Sequence, residues 1–166
     1  MSRYRFYPMT KDRALQISKW QYEYPYSMYD MDSSEDSILE LMNGEYYYAL
    51  DEHDDLIGFI CVGESGRVPG GYAAGIYRDL RKLDIGLGLK PDFTGKGRGQ
   101  EFLTAVLSFL NNQFINRHIQ LVVAAFNERA IKVYERIGFV KETHFRSKYE
   151  EKELEFISMS YVKKNV

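Results

Sequence analysis

Apolar residues recur along this chain at two spacings, and the switches between them outline its elements. Arg3–Pro8 reads as a first strand. Helical spacing follows at Ala14, Leu15, Ile17 and Trp20, with Thr10 placed to cap that helix. A tyrosine-rich segment interrupted by Pro25 has no clean period. Ile38, Leu39, Leu41 and Met42 then mark a second helix, its cap expected at Ser33 and its end at Asn43-Gly44. Glu45–Leu50 and Leu56–Val62 are strands, joined by a polar hairpin connection at Asp51–Asp55. Gly63–Leu80 reads as a long irregular connection, and connections of that length are often functional.

The centre of the chain is Leu83–Leu110. A strand-like LDIGLGLKP leads into the glycine-rich DFTGKGRGQ, and Phe102, Leu103, Val106, Leu107 and Leu110 then keep helical spacing. Ile119–Phe126 is a continuous apolar strand. Asn127 caps a helix whose stripe is Ala130, Val133, Tyr134 and Ile137, and Gly138 ends it. Phe139–Phe145 and Leu154–Val162 complete the set. Apolar parity slips between Phe156 and Ile157, which marks either a bulge or burial on both faces. The predicted order is β-α-α-β-β-β-α-β-α-β-β, a mixed α/β sheet protein. Neither repeat nor linker divides residues 1–166, so one domain is expected.

Strand, glycine turn and helix make a local geometry for binding phosphate. The first-turn amides of a helix lack internal partners and sit at the positive end of its dipole. Gly95, Gly97 and Gly99 let that backbone approach an anion, and Lys96 and Arg98 add charge. The nucleotide P-loop is excluded because Gly95-Lys96 is followed by glycine rather than Ser or Thr. The dinucleotide fingerprint is excluded because Phe102 stands where its third glycine should be.

Composition narrows the class further. A net charge of −2 disfavours a nucleic-acid partner, although a basic rim is still expected at the phosphate loop. The single cysteine, Cys61, excludes an internal disulfide and falls in an apolar run, as a buried thiol would. His53 sits among acids in the hairpin connection without a second histidine at ligand spacing, so no metal site is expected. No N-terminal hydrophobic segment suggests export, so no leader is expected, and no apolar run approaches the roughly 20 residues that span a bilayer. A cytoplasmic enzyme or binding domain without a membrane partner is expected.

The central stretch resembles the acyl-CoA site of the GNAT acetyltransferases, whose signature is Gln/Arg-x-x-Gly-x-Gly/Ala after a strand and a proline. Here Pro91 precedes Thr94-Gly95-Lys96-Gly97-Arg98-Gly99. The two glycines match at Gly97 and Gly99, and Thr94 departs from Gln or Arg. A second stretch, Asn127 through Ala130 and Tyr134 to Gly138-Phe139, closely resembles the family's Asn-x-x-Ala-x-x-x-Tyr-x-x-x-Gly-Phe. The predicted element order is similar to the GNAT fold over nearly the whole chain.

The resemblance implies a twisted sheet whose fourth and fifth strands splay, with acetyl-CoA as donor and an amine as acceptor. It implies that Thr94–Gln100 hold the diphosphate and that backbone groups near Leu87 and Leu89 hold the donor's carbonyl. Gly86 and Gly88 serve either that approach or simple packing. Asn127 is both a cap and a possible bond to the cofactor arm. Tyr134 is implied as the acid that reprotonates the thiolate, while its place on the apolar stripe equally suits a core tyrosine. Asp84 is the expected general base, with Glu45 and Glu64 as alternatives. The acceptor is expected along Tyr22–Tyr29, at Tyr24, Tyr26 and Tyr29, and in the Gly63–Tyr77 loop, at Tyr72 and Tyr77, whose rings can cage a cation or pack a peptide. Either a small molecule or a peptide amine fits, on a monomer or homodimer. A non-catalytic acyl-CoA-binding module is the alternative to an N-acetyltransferase.

Overall fold

The computed structural model describes residues 3–115 and 117–161. Its strands are β1 (Arg5–Pro8), β2 (Tyr46–Leu50), β3 (Leu56–Val62), β4 (Lys82–Leu89), β5 (His118–Ala124), β6 (Val140–Tyr149) and β7 (Lys152–Tyr161). Its helices are α1 (Lys11–Ser18), α2 (Glu35–Leu41), α3 (Pro69–Ala73), α4 (Gly99–Gln113) and α5 (Glu128–Ile137). The strands form one mixed sheet in the order β1-β2-β3-β4-β5-β7-β6. The predicted order holds, with α3 added between β3 and β4. Val162, the expected end of the last strand, lies outside the described residues. The residues divide into two compact units. One runs from the start of the chain to Cys61 and includes Leu87–Ala105, and the other comprises Val62–Gly86 and the chain from Val106 onward.

In the first unit, β1 pairs antiparallel with β2 and β2 with β3. Thr10 caps α1 as expected, its hydroxyl accepting from the Arg13 amide at 3.3 Å. The cap of α2 is Ser34, not Ser33. The Ser33 hydroxyl is engaged with Ser18 at 3.0 Å, whereas Ser34 accepts from the Ser37 amide at 3.2 Å. α1 and α2 bury Ala14, Ile17 and Leu41 with Trp20, Tyr46 and Cys61, and this cluster is the unit's core. Phe102, at the start of α4, is buried edge-on against Tyr4 with ring centroids 5.9 Å apart. Gly58 makes room for it, because a Cβ there would lie 2.8 Å from the Phe102 ring.

In the second unit, β4 runs parallel to β5 over Lys82–Ile85, paired with His118–Leu121. β5 and β6 both pair antiparallel with β7. The β5–β7 register is unbroken from Ile119–Tyr161 to Ala124–Phe156, and Phe156 to Ser160 are buried in succession. The parity slip in the sequence is therefore burial on both faces. The irregularity lies in β6, between Lys141 and Thr143. The glycine-rich connection before β4 is not wholly irregular, since α3 starts on Pro69 and is tied to β6 by the Gly70 amide donating to Ser147 Oγ at 2.8 Å.

Candidate active site

The glycine loop begins where β4 ends. Pro91–Phe93 form a short 3-10 turn, and Thr94 closes it by donating from Oγ1 to the Pro91 carbonyl at 2.8 Å. The Thr94 side chain is thus spent on its own turn, consistent with its departure from the longer polar residues of the signature. Gly95 and Gly97 take φ of +72° and +76°, the left-handed region that glycine alone adopts without cost. α4 then starts at Gly99, its ladder opening with the Phe102 amide donating to the Arg98 carbonyl at 3.0 Å. The amides of Gly99, Gln100 and Glu101 precede that first bond, so they are donors without an intrahelical acceptor.

The two cations of the loop differ. Lys96 is exposed. The Arg98 guanidinium stacks 4.4 Å from the Phe93 ring centroid and faces the buried Asp51 carboxylate at 4.0 Å. That carboxylate is built into the β2–β3 connection, accepting from the His53 and Asp55 amides at 2.9 and 3.0 Å. Arg98 therefore braces the loop against the hairpin, and Lys96 carries its exposed charge.

Upstream, the backbone at the end of β4 is organised by β3. The Lys90 amide donates to the Ile57 carbonyl at 2.8 Å. A Cβ on Gly88 would lie 2.4 Å from the Phe59 ring, so packing alone requires glycine at this position. Leu87 and Leu89 lie past Ile85, the last β4 residue in register with β5. The Leu89 carbonyl accepts a hydrogen bond from the Tyr22 phenol at 2.7 Å, a contact the sequence did not suggest. Of the other tyrosines expected nearby, Tyr26 and Tyr29 are half-buried in a 3-10 turn, and Tyr24 is 90% exposed.

The second unit holds the remaining candidates. Asp84 is buried on β4 and both of its oxygens are engaged. Arg67 Nε donates to Oδ2 at 2.8 Å and Gln120 Nε2 donates to Oδ1 at 2.8 Å. The base expected at Asp84 is thus half of a buried ion pair, with each carboxylate oxygen already accepting one side-chain donor. Tyr72 and Tyr77 do come together, their rings edge-on at 4.9 Å. The cation they flank is the protein's own, with the Arg67 guanidinium 5.7 Å and 4.8 Å from the two ring centroids. Tyr77 is buried, its hydroxyl accepts from the Val68 amide at 2.9 Å, and desolvation pushes its phenol up to about 12. Arg67 and Gln120 were not singled out from sequence, because neither lies in a motif.

On α5, Asn127 caps the helix as expected, with Oδ1 accepting from the Ala130 amide at 3.2 Å. Gly138 closes it at φ +120°, and the Gly138 and Phe139 amides both donate to the Tyr134 carbonyl, at 3.2 and 3.0 Å. The buried residue of α5 is Ile131, whereas Tyr134 is only half-buried, its ring 5.8 Å from that of Phe139. Tyr134 is therefore not sealed in the core, although it shares the stripe of core-facing positions.

Comparison with known proteins gives these features a family. No curated protein matches the chain in sequence. Among solved structures, an acetyltransferase (GNAT family) from Bacillus anthracis is similar at a TM-score of 0.69 and 14% identity, over 97% of this chain and 95% of that one. Mutant forms of the spermidine/spermine N-acetyltransferase from Vibrio cholerae are similar at a TM-score of 0.67 and 19% identity, over 95% of this chain and 93% of that one. At these identities the likeness is one of fold. No helix among the described residues is long and apolar enough to cross a membrane. The model of the acetyltransferase (GNAT) family matches residues 11–139, well over half of the chain, and the chain therefore belongs to that family.

Proposed function

We propose that this protein is an N-acetyltransferase that moves an acetyl group from acetyl-CoA to a primary amine by direct attack of the amine on the thioester. The observation that carries this reading is the loop after β4. Two glycines in the left-handed region lead into the first-turn amides of α4, which have no acceptor within the helix, beside an exposed lysine. A Cβ at Gly97 would meet nothing within 4 Å, so the space beside that backbone is open to a diphosphate, which supports the reading.

When bound, acetyl-CoA supplies the activated carbonyl and a thiol leaving group. The chain's residues do the rest. The amides of Gly95–Gln100 and the Lys96 ammonium hold the diphosphate, with Thr94 shaping the turn and Arg98 bracing it. Backbone groups at Leu87 and Leu89 hold the donor next to the reacting carbon. The amine nitrogen bonds to that carbon, the carbon–sulfur bond breaks, and the amine's proton leaves to solvent. Tyr134 would give its phenolic proton to the departing thiolate and regain one from solvent, and Asn127 fixes the start of the helix that carries it. Asp84 acts as the anchor of Arg67 rather than as a base. The whole chain is proposed to act as one acetyltransferase domain.

The acceptor panel that tests this reading should include peptide N-termini, lysine, small amino acids and a polyamine. The polyamine is included because the Vibrio cholerae enzyme of similar fold is named for one. Thiol release from acetyl-CoA that depends on one of these amines is the expected result. Tight binding of CoA without transfer to any of them would leave a binding module in place of an enzyme.

The same reading makes Gly97 sensitive to a single methyl. Gly97→Ala creates no clash, so its effect is conformational, about 1 kcal/mol for a left-handed alanine. An exposed loop relaxes by leaving that region, so the penalty appears on binding. CoA affinity measured by calorimetry is expected to fall about fivefold, and an alanine variant that binds as tightly as the parent would remove this loop from the site.

A further inference from the structure

We infer that Tyr22 is a positioning residue for the acetyl donor: its phenol holds the Leu89 peptide, and with it the edge of β4 that faces away from β3, in the orientation that the donor requires. This rests on the reading of acetyl-CoA as donor.

The inference starts from strand parity. The Lys90 amide points to β3, donating to Ile57 at 2.8 Å. The Gly88 carbonyl points the same way, since a Cβ on Gly58 would lie 2.7 Å from it. Successive residues of a strand direct their N–H and C=O groups to opposite edges. Leu89, between these two, therefore presents its polar groups to the edge away from β3, as Leu87 does. Among the described residues the β4–β5 register covers Lys82–Ile85, and Leu89 lies beyond it. A buried or half-buried carbonyl with no ladder partner needs another one, and the Tyr22 hydroxyl supplies it at 2.7 Å.

Tyr22 is itself fixed for the task. Its amide donates to Asp30 Oδ1 at 2.7 Å, and its ring packs against the first unit's core. Desolvation, with the Asp30 charge second, pushes the phenol above its ordinary range, so it remains a protonated donor at every working pH. A tyrosine used only to fill space needs neither the pinned backbone nor the aimed hydroxyl.

Tyr22→Phe removes the bond and keeps the ring. Leu89-Lys90 is the one Leu-Lys pair in the chain, and Gly95-Lys96 is the one Gly-Lys pair. Carbonyl-labelled leucine and glycine combined with amide-labelled lysine therefore give two carbonyl–amide correlations, one at the end of β4 and one in the phosphate loop. In Tyr22→Phe the Leu89 signal is expected to move and the Gly95 signal to stay. The KM for acetyl-CoA is expected to rise roughly three- to tenfold, the scale of one hydrogen bond, with the acceptor KM unchanged. An unmoved Leu89 signal, or a moved signal with unchanged KM, overturns the inference. Should the variant fail to fold, titrating the parent protein with CoA still decides. Movement of both signals supports the inference, and movement of Gly95 alone overturns it while leaving the loop as the cofactor site. Silence of both signals overturns the donor assignment and the inference together.

Discussion

Tyr134→Phe is expected to lower turnover about a hundredfold while acetyl-CoA affinity stays within about threefold. The expectation follows from what the substitution removes. The ring, which lies 5.8 Å from that of Phe139, is kept, and so are the backbone bonds that close α5 on the Tyr134 carbonyl. Only the hydroxyl goes. A group that acts on the thiolate as the carbon–sulfur bond breaks stabilises the transition state and not the bound donor, so kcat falls and binding does not. A phenol that served only to pack would give the opposite pattern, with turnover intact and any deficit appearing in melting temperature. Rapid-quench measurement of acetyl transfer, set beside a CoA titration, separates the two. Unchanged transfer in the phenylalanine variant would remove Tyr134 from the chemistry.

Elements whose causes are local were legible in the sequence. β3 falls on Leu56–Val62 as its apolar run predicts, and the caps at Thr10 and Asn127 stand where a side-chain oxygen can reach an amide three residues on. The family and its fold were also legible, through glycine and tyrosine spacings that reflect one turn and one helix. Local sequence points to Ser33 as the cap because the competing partner, Ser18, lies on another helix. α3 is not legible locally because Gly70-Gly71 argues against a helix in any local scale, and tertiary contact with β6 overrides it. The contacts that shape the candidate site are longer still. Tyr22 and Leu89 are 67 positions apart, and Asp84 and Gln120 are 36 apart. No periodicity relates such residues. Asp84 could be picked out as an acid on a strand, but not as one whose two oxygens are already taken.

That arrangement sets the last expectation, which concerns Asp84 and Arg67 together. Arg67→Met leaves a buried carboxylate with Gln120 as its one remaining side-chain donor, and should cost about 3 kcal/mol of stability. Asp84→Asn keeps the volume but offers one acceptor oxygen to two donors, Arg67 Nε and Gln120 Nε2. One of them loses its partner, at about 2 kcal/mol. Because each single change breaks the same pair, the double variant should lose clearly less than the sum, and strict additivity in denaturant unfolding would show that the pair is not coupled. Activity then discriminates between roles. If an amine used Asp84 as its base, replacing the carboxylate would abolish the acidic limb of the pH–rate profile. An anchor has no such signature. The Asp84→Asn enzyme, assayed well below its lowered melting temperature, should keep the parent's acidic limb at the same midpoint. Loss of that limb would restore Asp84 to the proton-transfer step.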